Sequence, residues 1–480
     1  MTEINAARRH TAAVVTLSAA EVAGKVATLA TFVVVARSSS VADYGLFSYA
    51  LGLGLLLAVL SSLGLDARLI QLAGRAPQTL EAWLSALVGA RVAMAAGLIL
   101  ATWGVLAWTS TAHERRVVVL ALLVAALLDT IGDAFRAAAA ARGRQSGPAL
   151  VMVVQRFVTL GAVAAAAGVA TTVQAAAVAY LAGAFVGCAL MAIAARRAGA
   201  RVRPRVVRGH HLLDLAGAVP VYGGNAMVSM ALFRIDTVIL AVLAGDAAVG
   251  HYAAAYRLIE TTLFISWSVS RVVAPILARR GPDDADSRRV LNAAYVAVSA
   301  IYLPYALALV LEGDRLVRLL FGAGFETTAL FWWLALAPWL FGLAHLAATT
   351  LLSWSPDRWV LAASGAALAV NVALNLVLVP RWGELGAAAA TTVAFAVQVG
   401  VTWPRMRCRV DVAHVARGVA VAATASVVMG AAMSVATHVW SAVLVGAVVY
   451  VPLWWALTRR WDRRTAAMVA TVLARRQGEP

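Results

Sequence analysis

The chain has 480 residues, of which 62% are hydrophobic and only 13% charged, with a mean hydropathy of +0.82. Soluble domains contain about 45–50% apolar and about 25% charged residues, so this composition excludes a soluble globular protein and indicates an integral membrane protein. The net charge of +17 does not indicate nucleic-acid binding, because the basic residues cluster in short segments between apolar runs. The only cysteines, Cys188 and Cys408, predict no disulfide framework.

Apolar runs of about 20 residues, long enough to cross a bilayer, follow one another along the chain. With charges, proline and glycine as boundaries, the sequence predicts fourteen membrane-spanning helices. The first run is too long for a cleaved signal segment and is interpreted as a retained span. The predicted spans are 12–36, 44–65, 82–108, 116–140, 148–169, 174–195, 213–244, 249–278, 290–311, 327–352, 358–380, 384–403, 413–435 and 440–458.

The distribution of arginine predicts the orientation of these spans. With a cytoplasmic N-terminus, 28 basic residues fall in inside segments and six in outside loops, as the positive-inside rule requires. Both termini are therefore predicted to be cytoplasmic. The longest connection, 196–211, is basic and is interpreted as a cytoplasmic linker between two halves.

Two segments of the chain repeat each other. FVVVARSSSVADYGLFSYA (32–50) and TVILAVLAGDAAVGHYAAA (237–255) align without gaps at an offset of 205 residues, which matches Gly45 with Gly250. Each segment predicts a helix end, a tight outside turn and a glycine that permits close approach or a positive φ. Parallel repeats of this kind are typical of transporters that bind their substrate between two halves.

Four stretches carry a resemblance to a known family. RIDTVILAVLAGDAAVGHYAAAYRLIE (234–260) and NVALNLVLVPRWGELGAAAATTV (371–393) resemble the oligosaccharide flippases of the polysaccharide transport family. These are Wzx-like members of the multidrug/oligosaccharidyl-lipid/polysaccharide exporter superfamily. ADYGLFSYA (42–50) and AAAARGRQSG (138–147) look similar as well, so the resemblance extends over the first twelve spans.

The resemblance implies an all-α, MATE-like, V-shaped transporter built from two pseudo-symmetric six-helix lobes and two C-terminal helices. On this chain the lobes would be 1–195 and 212–404, joined by the 196–211 linker and followed by 405–480. The implied cargo is an undecaprenyl-diphosphate-linked glycan, moved from the inner to the outer leaflet of a bacterial cytoplasmic membrane. The implied partners are membrane lipids, H⁺ or Na⁺, a polysaccharide polymerase and glycosyltransferases, with no cofactor and no nucleic acid.

Charged residues within the predicted spans are the candidates for function, because a charge at mid-bilayer costs several kcal/mol unless it faces protein or water. Arginine and lysine can bind a diphosphate through charge-assisted hydrogen bonds, and carboxylates can balance the charge or carry a coupling ion. The predicted cargo-binding cations are Arg234, Arg91, Lys25 and Arg257. The predicted coupling or charge-balancing acids are Asp236, Glu21 and Glu260.

Spacing leaves structural alternatives open for several of these charges. Glu21 and Lys25 are four residues apart and Arg257 and Glu260 three apart, so each pair could be a local ion pair. Asp133 and Arg136 have the same spacing as the second pair. For two further cations, Arg156 and Arg271, snorkelling to the headgroups is an alternative to a functional role.

Two arginines have no obvious partner on their own helix. Arg91 has no acid three or four residues away. Arg234 and Asp236 are two residues apart, or about 200° around a helix, and cannot pair with each other. For all three residues the alternative to a place in the cleft is an interhelical ion pair that fixes the packing.

Two further segments bear on motion and anchoring. Pro220, Gly223 and Gly224 lie at the start of the seventh span and predict a hinge or a static kink. The tryptophan-rich segment FWWLALAPW (331–339) predicts an anchor at the membrane interface.

No zinc-ligand spacing, nucleophile elbow, Walker loop or dinucleotide fingerprint occurs, so the sequence predicts no catalytic centre and no metal site. Three alternatives to the flippase hypothesis stay open. A lipid II flippase shares the fourteen-span plan, and a cation-coupled multidrug exporter belongs to the same superfamily. A membrane polysaccharide polymerase or ligase would modify cargo rather than move it.

Overall fold

The computed structural model describes residues 22–144, 146–355 and 358–461, without the side chains of 221, 222 and 225. The regular elements in these ranges are all helical, which confirms the prediction of an all-α protein. The helices, numbered in chain order, are α1 (22–38), α2 (Val41–Ser62), α3 (Leu65–Arg75), α4 (Leu80–Trp108), α5 (His113–Ala141), α6 (Ser146–Val169), α7 (Val173–Arg197), α8 (Gly209–Glu260), α9 (Phe264–Arg279), α10 (Ala285–Phe321), α11 (Thr328–Leu334), α12 (Ala337–Trp354), α13 (Arg358–Trp382), α14 (Glu384–Met406), α15 (Val412–Met433) and α16 (Val439–Trp461).

Twelve segments of the described chain are long and apolar enough to cross a membrane. One of them, Ala226–Arg279, has 54 residues and covers both the seventh and the eighth predicted spans. The described part of the first predicted span, 22–38, is helical as well. The helices are therefore consistent with the fourteen predicted spans and confirm a multi-pass membrane protein.

The chain divides into two compact units, Met1–Gly250 and His251–Pro480, and α8 runs through the boundary between them. This boundary lies beyond the predicted 196–211 linker. The predicted lobe limits at 195 and 212 stay a prediction.

Small residues hold the helices of the first unit close together. A Cβ added to Gly183 of α7 would overlap the side chain of Thr159 on α6, so the two helices touch at this point. A core of leucine and alanine, including Leu69, Leu84 and Ala138, joins α3, α4 and α5. Membrane helices gain little from hydrophobic burial against each other, so association depends on such close packing.

The second unit uses the same device. A Cβ on Gly418 or Gly430 of α15 would press into Val296 or Leu307 of α10. The segment RWGELG, predicted to separate the eleventh and twelfth spans, does form a turn between α13 and α14. Gly383 has a φ of 54° there, and the approach of Gly386 to the backbone of Leu378 closes the hairpin.

Polar side chains set the starts of several helices. Ser40 accepts a hydrogen bond from the backbone N–H of Asp43 at the start of α2. Asp284 accepts from the N–H groups of Ser287 and Asp286 at the start of α10. These N–H groups, with that of Ser287 first, lower the pKa of the exposed Asp284 carboxyl below its usual value. The caps satisfy donors that a helix start leaves unpaired.

In the eighth predicted span the helical hydrogen bonding tightens at 261–263, between α8 and α9, where the N–H groups of Thr262 and Leu263 donate to carbonyls three residues earlier; this point is called the break below. The hydroxyls of Thr261 and Thr262 donate to the carbonyls of Leu258 and Ile259. Tandem threonines thus offer the backbone local partners that compete with the helix. In the tenth predicted span, α11 and α12 are separated only by residues 335–336, which keep right-handed helical angles.

Candidate functional site

Arg91 is the most deeply buried charge of the first unit, with no exposed surface. Its Nη2 lies 3.0 Å from Asp66 Oδ1, and its guanidinium donates to the carbonyls of Thr130 and Ser62. The side chain therefore ties α4 to α3, α5 and the end of α2. This is the interhelical ion pair left open as the alternative, and its burial does not favour the cargo-binding role, which stays a prediction.

Asp66→Asn is expected to lower the free energy of unfolding by about 3 kcal/mol, because it leaves the Arg91 guanidinium buried without a counter-charge. The paired change Asp66→Leu with Arg91→Met should cost less, since it removes both charges together. Thermal unfolding of the purified protein in detergent measures both changes. Asp133→Asn is the matched control, because its ion pair with Arg136 is about half exposed and should be worth below about 1 kcal/mol. Equal losses for the two single variants would contradict an anchoring role.

A second arginine of the first unit reaches across to α1. The guanidinium of Arg156 on α6 donates to Thr28 Oγ1. Gly24 leaves the space for this crossing, because a Cβ there would lie 3.0 Å from Arg156 Cδ. Lys25 is half-buried on the same helix and lies three residues before Thr28, on a shared face. Arg156 therefore contacts the turn of α1 that also carries Lys25.

Arg156, for which the sequence left both snorkelling and a functional role open, stays a candidate. Only 11% of the residues in the most apolar stretch of α6 are buried, so most of this helix faces outward. Its polar residues Gln155 and Arg156 are half-buried. Gln155 beside it donates to Asp129 Oδ1 of α5 at 2.7 Å, and Asp129 lies within electrostatic reach of Arg156. We refer to Lys25, Thr28, Asp129, Gln155 and Arg156 as the α1–α5–α6 cluster.

Arg234 and Asp236 occupy different environments, as helical geometry predicts. Asp236 is 1% exposed and accepts hydrogen bonds from the backbone N–H (2.7 Å) and hydroxyl (3.3 Å) of Thr237. Arg234 is half-buried, and both residues have interaction partners. Their roles in binding and coupling stay predictions. Glu21 lies outside the described residues.

In the second unit, Arg257 and Glu260 form the local ion pair that their spacing permits, with Arg257 Nη1 2.6 Å from Glu260 Oε2. The pair stands directly before the break between α8 and α9. Tyr305 and Tyr302 of α10 bind this break by donating to the carbonyls of Leu258 and Thr262, each at 2.8 Å. A stretch of i→i−3 hydrogen bonds within a longer helix often marks a hinge.

A buried polar centre of the second unit received no role from the sequence. Asn371 and Asn375 of α13 are fully buried, and Asn375 Nδ2 donates to the backbone carbonyl of Asn371 at 2.8 Å. The hydroxyls of Tyr252 and Thr391 are 3.1 Å apart. Four-residue spacing of the two asparagines in an apolar run was the signal that could have identified them.

The two repeated segments contact each other within the first unit. A Cβ on Gly45 would overlap the carbonyl oxygen of Asp246, and a Cβ on Gly250 would overlap that of Val41. The 205-residue offset also matches Val41 with Asp246, so the contact is reciprocal. The predicted need for glycine at a close approach is confirmed at both positions.

Two further features fix this crossing. The residue of α8 with non-helical angles is Gly245, whose φ of 85° requires glycine. Arg115 of α5 makes an ion pair of 2.6 Å with Asp246 and lies over the ring of Tyr49. By contrast, α8 shows no non-helical angles at Pro220, Gly223 and Gly224. The hinge at those three residues stays a prediction.

Comparison with known proteins gives one family and one fold. A family model described as polysaccharide biosynthesis protein matches residues 34–330. A structure of the lipid II flippase MurJ in an inward closed conformation is similar with a TM-score of 0.78 at 13% identity, covering 93% of this chain and 99% of that chain. No curated protein sequence matches.

Transporters of the MATE family are similar over less of the chain. An inward-facing multidrug resistance MATE family transporter of the MOP superfamily has a TM-score of 0.58 at 14% identity, covering 80% of this chain and 94% of that one. The Vibrio cholerae MATE transporter VcmN in the bent form has a TM-score of 0.54 at 14% identity, covering 83% and 97%. At these identities the likeness establishes the fold alone.

Proposed function

This chain belongs to the polysaccharide biosynthesis protein family, and on that premise we propose that it is a flippase for an undecaprenyl-diphosphate-linked oligosaccharide. It moves this cargo from the inner to the outer leaflet of a bacterial cytoplasmic membrane by alternating access, with both termini cytoplasmic. The cargo then serves cell-surface polysaccharide synthesis. Glycosyltransferases supply it and a polymerase consumes it.

One observation carries the proposal: the Arg156 guanidinium of α6 donates to Thr28 of α1, three residues after the half-buried Lys25. Two cationic residues are thereby placed on neighbouring membrane helices, with the Asp129 carboxylate within electrostatic reach of Arg156. A diphosphate carries two negative charges and accepts charge-assisted hydrogen bonds from both groups. Asp129 would balance the cluster when cargo has left.

Cation coupling is part of the proposal. No ATPase motif occurs in the sequence, so an H⁺ or Na⁺ gradient would drive the cycle. Asp129, Asp236 and Glu260 are the carboxylates on membrane helices that support this step. Arg234 and Arg257 are proposed as further cations along the path of the cargo.

A lipid II flippase is the second candidate, because the structural similarity to MurJ extends over 99% of the MurJ chain. Lipid II also presents a polyprenyl diphosphate, so the cationic cluster alone does not separate the two cargoes. The family match favours the oligosaccharide. A multidrug exporter fits the two adjacent cations less well, because its cargo is itself cationic.

Reconstituted proteoliposomes separate these functions. The purified protein is incorporated with either an undecaprenyl-diphosphate-linked oligosaccharide or lipid II, each carrying a fluorophore that dithionite reduces from outside. We expect the protein to make the inner pool of the oligosaccharide accessible, and lipid II much more slowly. Movement of lipid II alone would assign the second candidate, and transport of an organic cation without lipid movement would contradict both.

A further inference from the structure

The second unit contains an apolar cavity that the proposed transport function does not use. It has a volume of about 400 Å³ and lies between α10, α12, α14 and α15. Its walls include Trp339, Trp403, Met406, Ala416 and Ala420. The rim is open at α14 and α15, where Trp403 is 37% and Val412 44% exposed.

Two polar groups in the walls of this cavity have partners elsewhere in the protein. The hydroxyl of Thr402 donates to the carbonyls of Gln398 and Val399, each at 3.0 Å. The indole N–H of Trp339 donates to Ser299 Oγ at 3.0 Å. Because these groups are already satisfied, the cavity suits a hydrocarbon chain rather than a sugar or a polar drug.

One end of the cavity is positively charged. Met406, which lines it, is flanked in the chain by the exposed Arg405 and Arg407 at the end of α14. The Arg405 guanidinium lies over the ring of Trp359 at 5.2 Å, which steadies it at this end. The next arginine, Arg409, already pairs with Asp283. Arg405 and Arg407 therefore give this end of α14 a positive charge that attracts an anionic headgroup.

We propose that this cavity binds one acyl chain of an anionic glycerophospholipid, with its phosphate at Arg405 and Arg407. The acyl chain gains little free energy by leaving the surrounding lipid for an apolar cavity. The preference for an anionic lipid therefore comes from the arginines. The volume is small for a pocket, whose usual range is about 300–1,000 Å³. It holds a single acyl chain, whereas the polyprenyl chain of the proposed cargo is several times longer.

Tryptophan quenching tests the site, because Trp339 and Trp403 line it. The full-length protein in phosphatidylcholine-containing micelles is titrated with phosphatidylglycerol brominated in its acyl chains, and separately with brominated phosphatidylcholine. We expect the anionic lipid to quench at roughly 30-fold lower concentration, from two arginines near the headgroup. Trp339→Phe with Trp403→Phe should remove most of this saturable quenching.

Two sets of variants separate the chain from the headgroup. Arg405→Gln with Arg407→Gln, both at exposed positions, should make the two lipids quench equally. Ala416→Phe with Ala420→Phe fills the cavity and should abolish saturable quenching, whereas Ala431→Phe, an exposed position further along α15, should leave it unchanged. A thermal midpoint for each variant confirms folding, and the arginine variant gives the answer alone if the phenylalanine pair fails to fold.

Two results would overturn the proposal. The first is wild-type quenching in both the arginine and the phenylalanine variants. The second is displacement of the brominated lipid by undecaprenyl phosphate at a lower concentration than unlabelled phosphatidylglycerol requires, which would assign the cavity to the cargo.

Discussion

Replacing Lys25 and Arg156 together with glutamine is expected to slow movement of a diphosphate-linked cargo by roughly 10²–10⁴-fold. Each cation contributes a hydrogen bond to a charged group worth about 1.5–3 kcal/mol, and each 1.36 kcal/mol changes a rate by about tenfold. The dithionite assay in proteoliposomes measures the rate. Arg156→Lys keeps the charge and should retain part of the activity.

Arg136→Gln is the matched control for this experiment. Arg136 also lies on a membrane helix and makes an ion pair, but it is 46% exposed and bound to Asp133. We expect its transport rate to stay within about twofold of wild type, because exposed pairs contribute below about 1 kcal/mol. A normal rate for Lys25→Gln with Arg156→Gln, in protein of normal yield and thermal midpoint, would reduce the cluster to a packing role.

Gly45→Val is expected to force apart the crossing of the two repeated segments and to lower the free energy of unfolding by about 3 kcal/mol, the upper end for overpacking. The obstructing atom is the backbone carbonyl of Asp246, which cannot rotate away as a side chain could. Gly250→Val should have a similar effect through Val41. Since both changes open one contact, the double variant should lose less than the sum of the two.

Gly52→Ala provides the control on the same helix. Its added Cβ would lie 3.6 Å from Thr237 Cγ2, an ordinary contact, and should change the midpoint of thermal unfolding little. The opening itself is read at Ser48→Cys, a buried position, with Cys188 and Cys408 replaced by serine. A membrane-impermeant maleimide should label it faster in the Gly45→Val background. Unchanged labelling of the Ser48→Cys variant, together with additive losses of stability in the double variant, would contradict the view that Gly45 and Gly250 maintain one shared contact.

The repeat was readable from the sequence because glycine at a helix crossing has no substitute. Gly45 and Gly250 predicted a close approach of two helices, and each lies against the backbone of the other segment. The positive φ, by contrast, is found at Gly245. The sequence did not show which glycine would permit close approach and which would adopt a positive φ. Run length also predicted the spans 358–380 and 384–403, which correspond to the helices Arg358–Trp382 and Glu384–Met406, since a single turn separates two long apolar runs.

The sequence could not predict contacts between helices far apart in the chain. Arg91 has no acid three or four residues away on its own helix, yet Asp66 on α3 completes its ion pair. Arg156 looks like a snorkelling residue until the space at Gly24 brings it across α1. At the break after Glu260, the carbonyls of Thr262 and Leu258 accept hydrogen bonds from the hydroxyls of Tyr302 and Tyr305 of α10. The sequence around the break does not predict these partners.

The central claim is that this chain carries a lipid-linked oligosaccharide across the membrane. The most direct measurement depletes the protein in the organism that encodes it and determines which leaflet holds the undecaprenyl-linked glycan, using an enzyme or lectin that reaches only the outer surface. We predict that the glycan accumulates in the inner leaflet and that wild-type protein, but not the Lys25→Gln/Arg156→Gln variant, restores it to the outer leaflet. Arrival of the glycan in the outer leaflet at a normal rate during depletion would contradict the account.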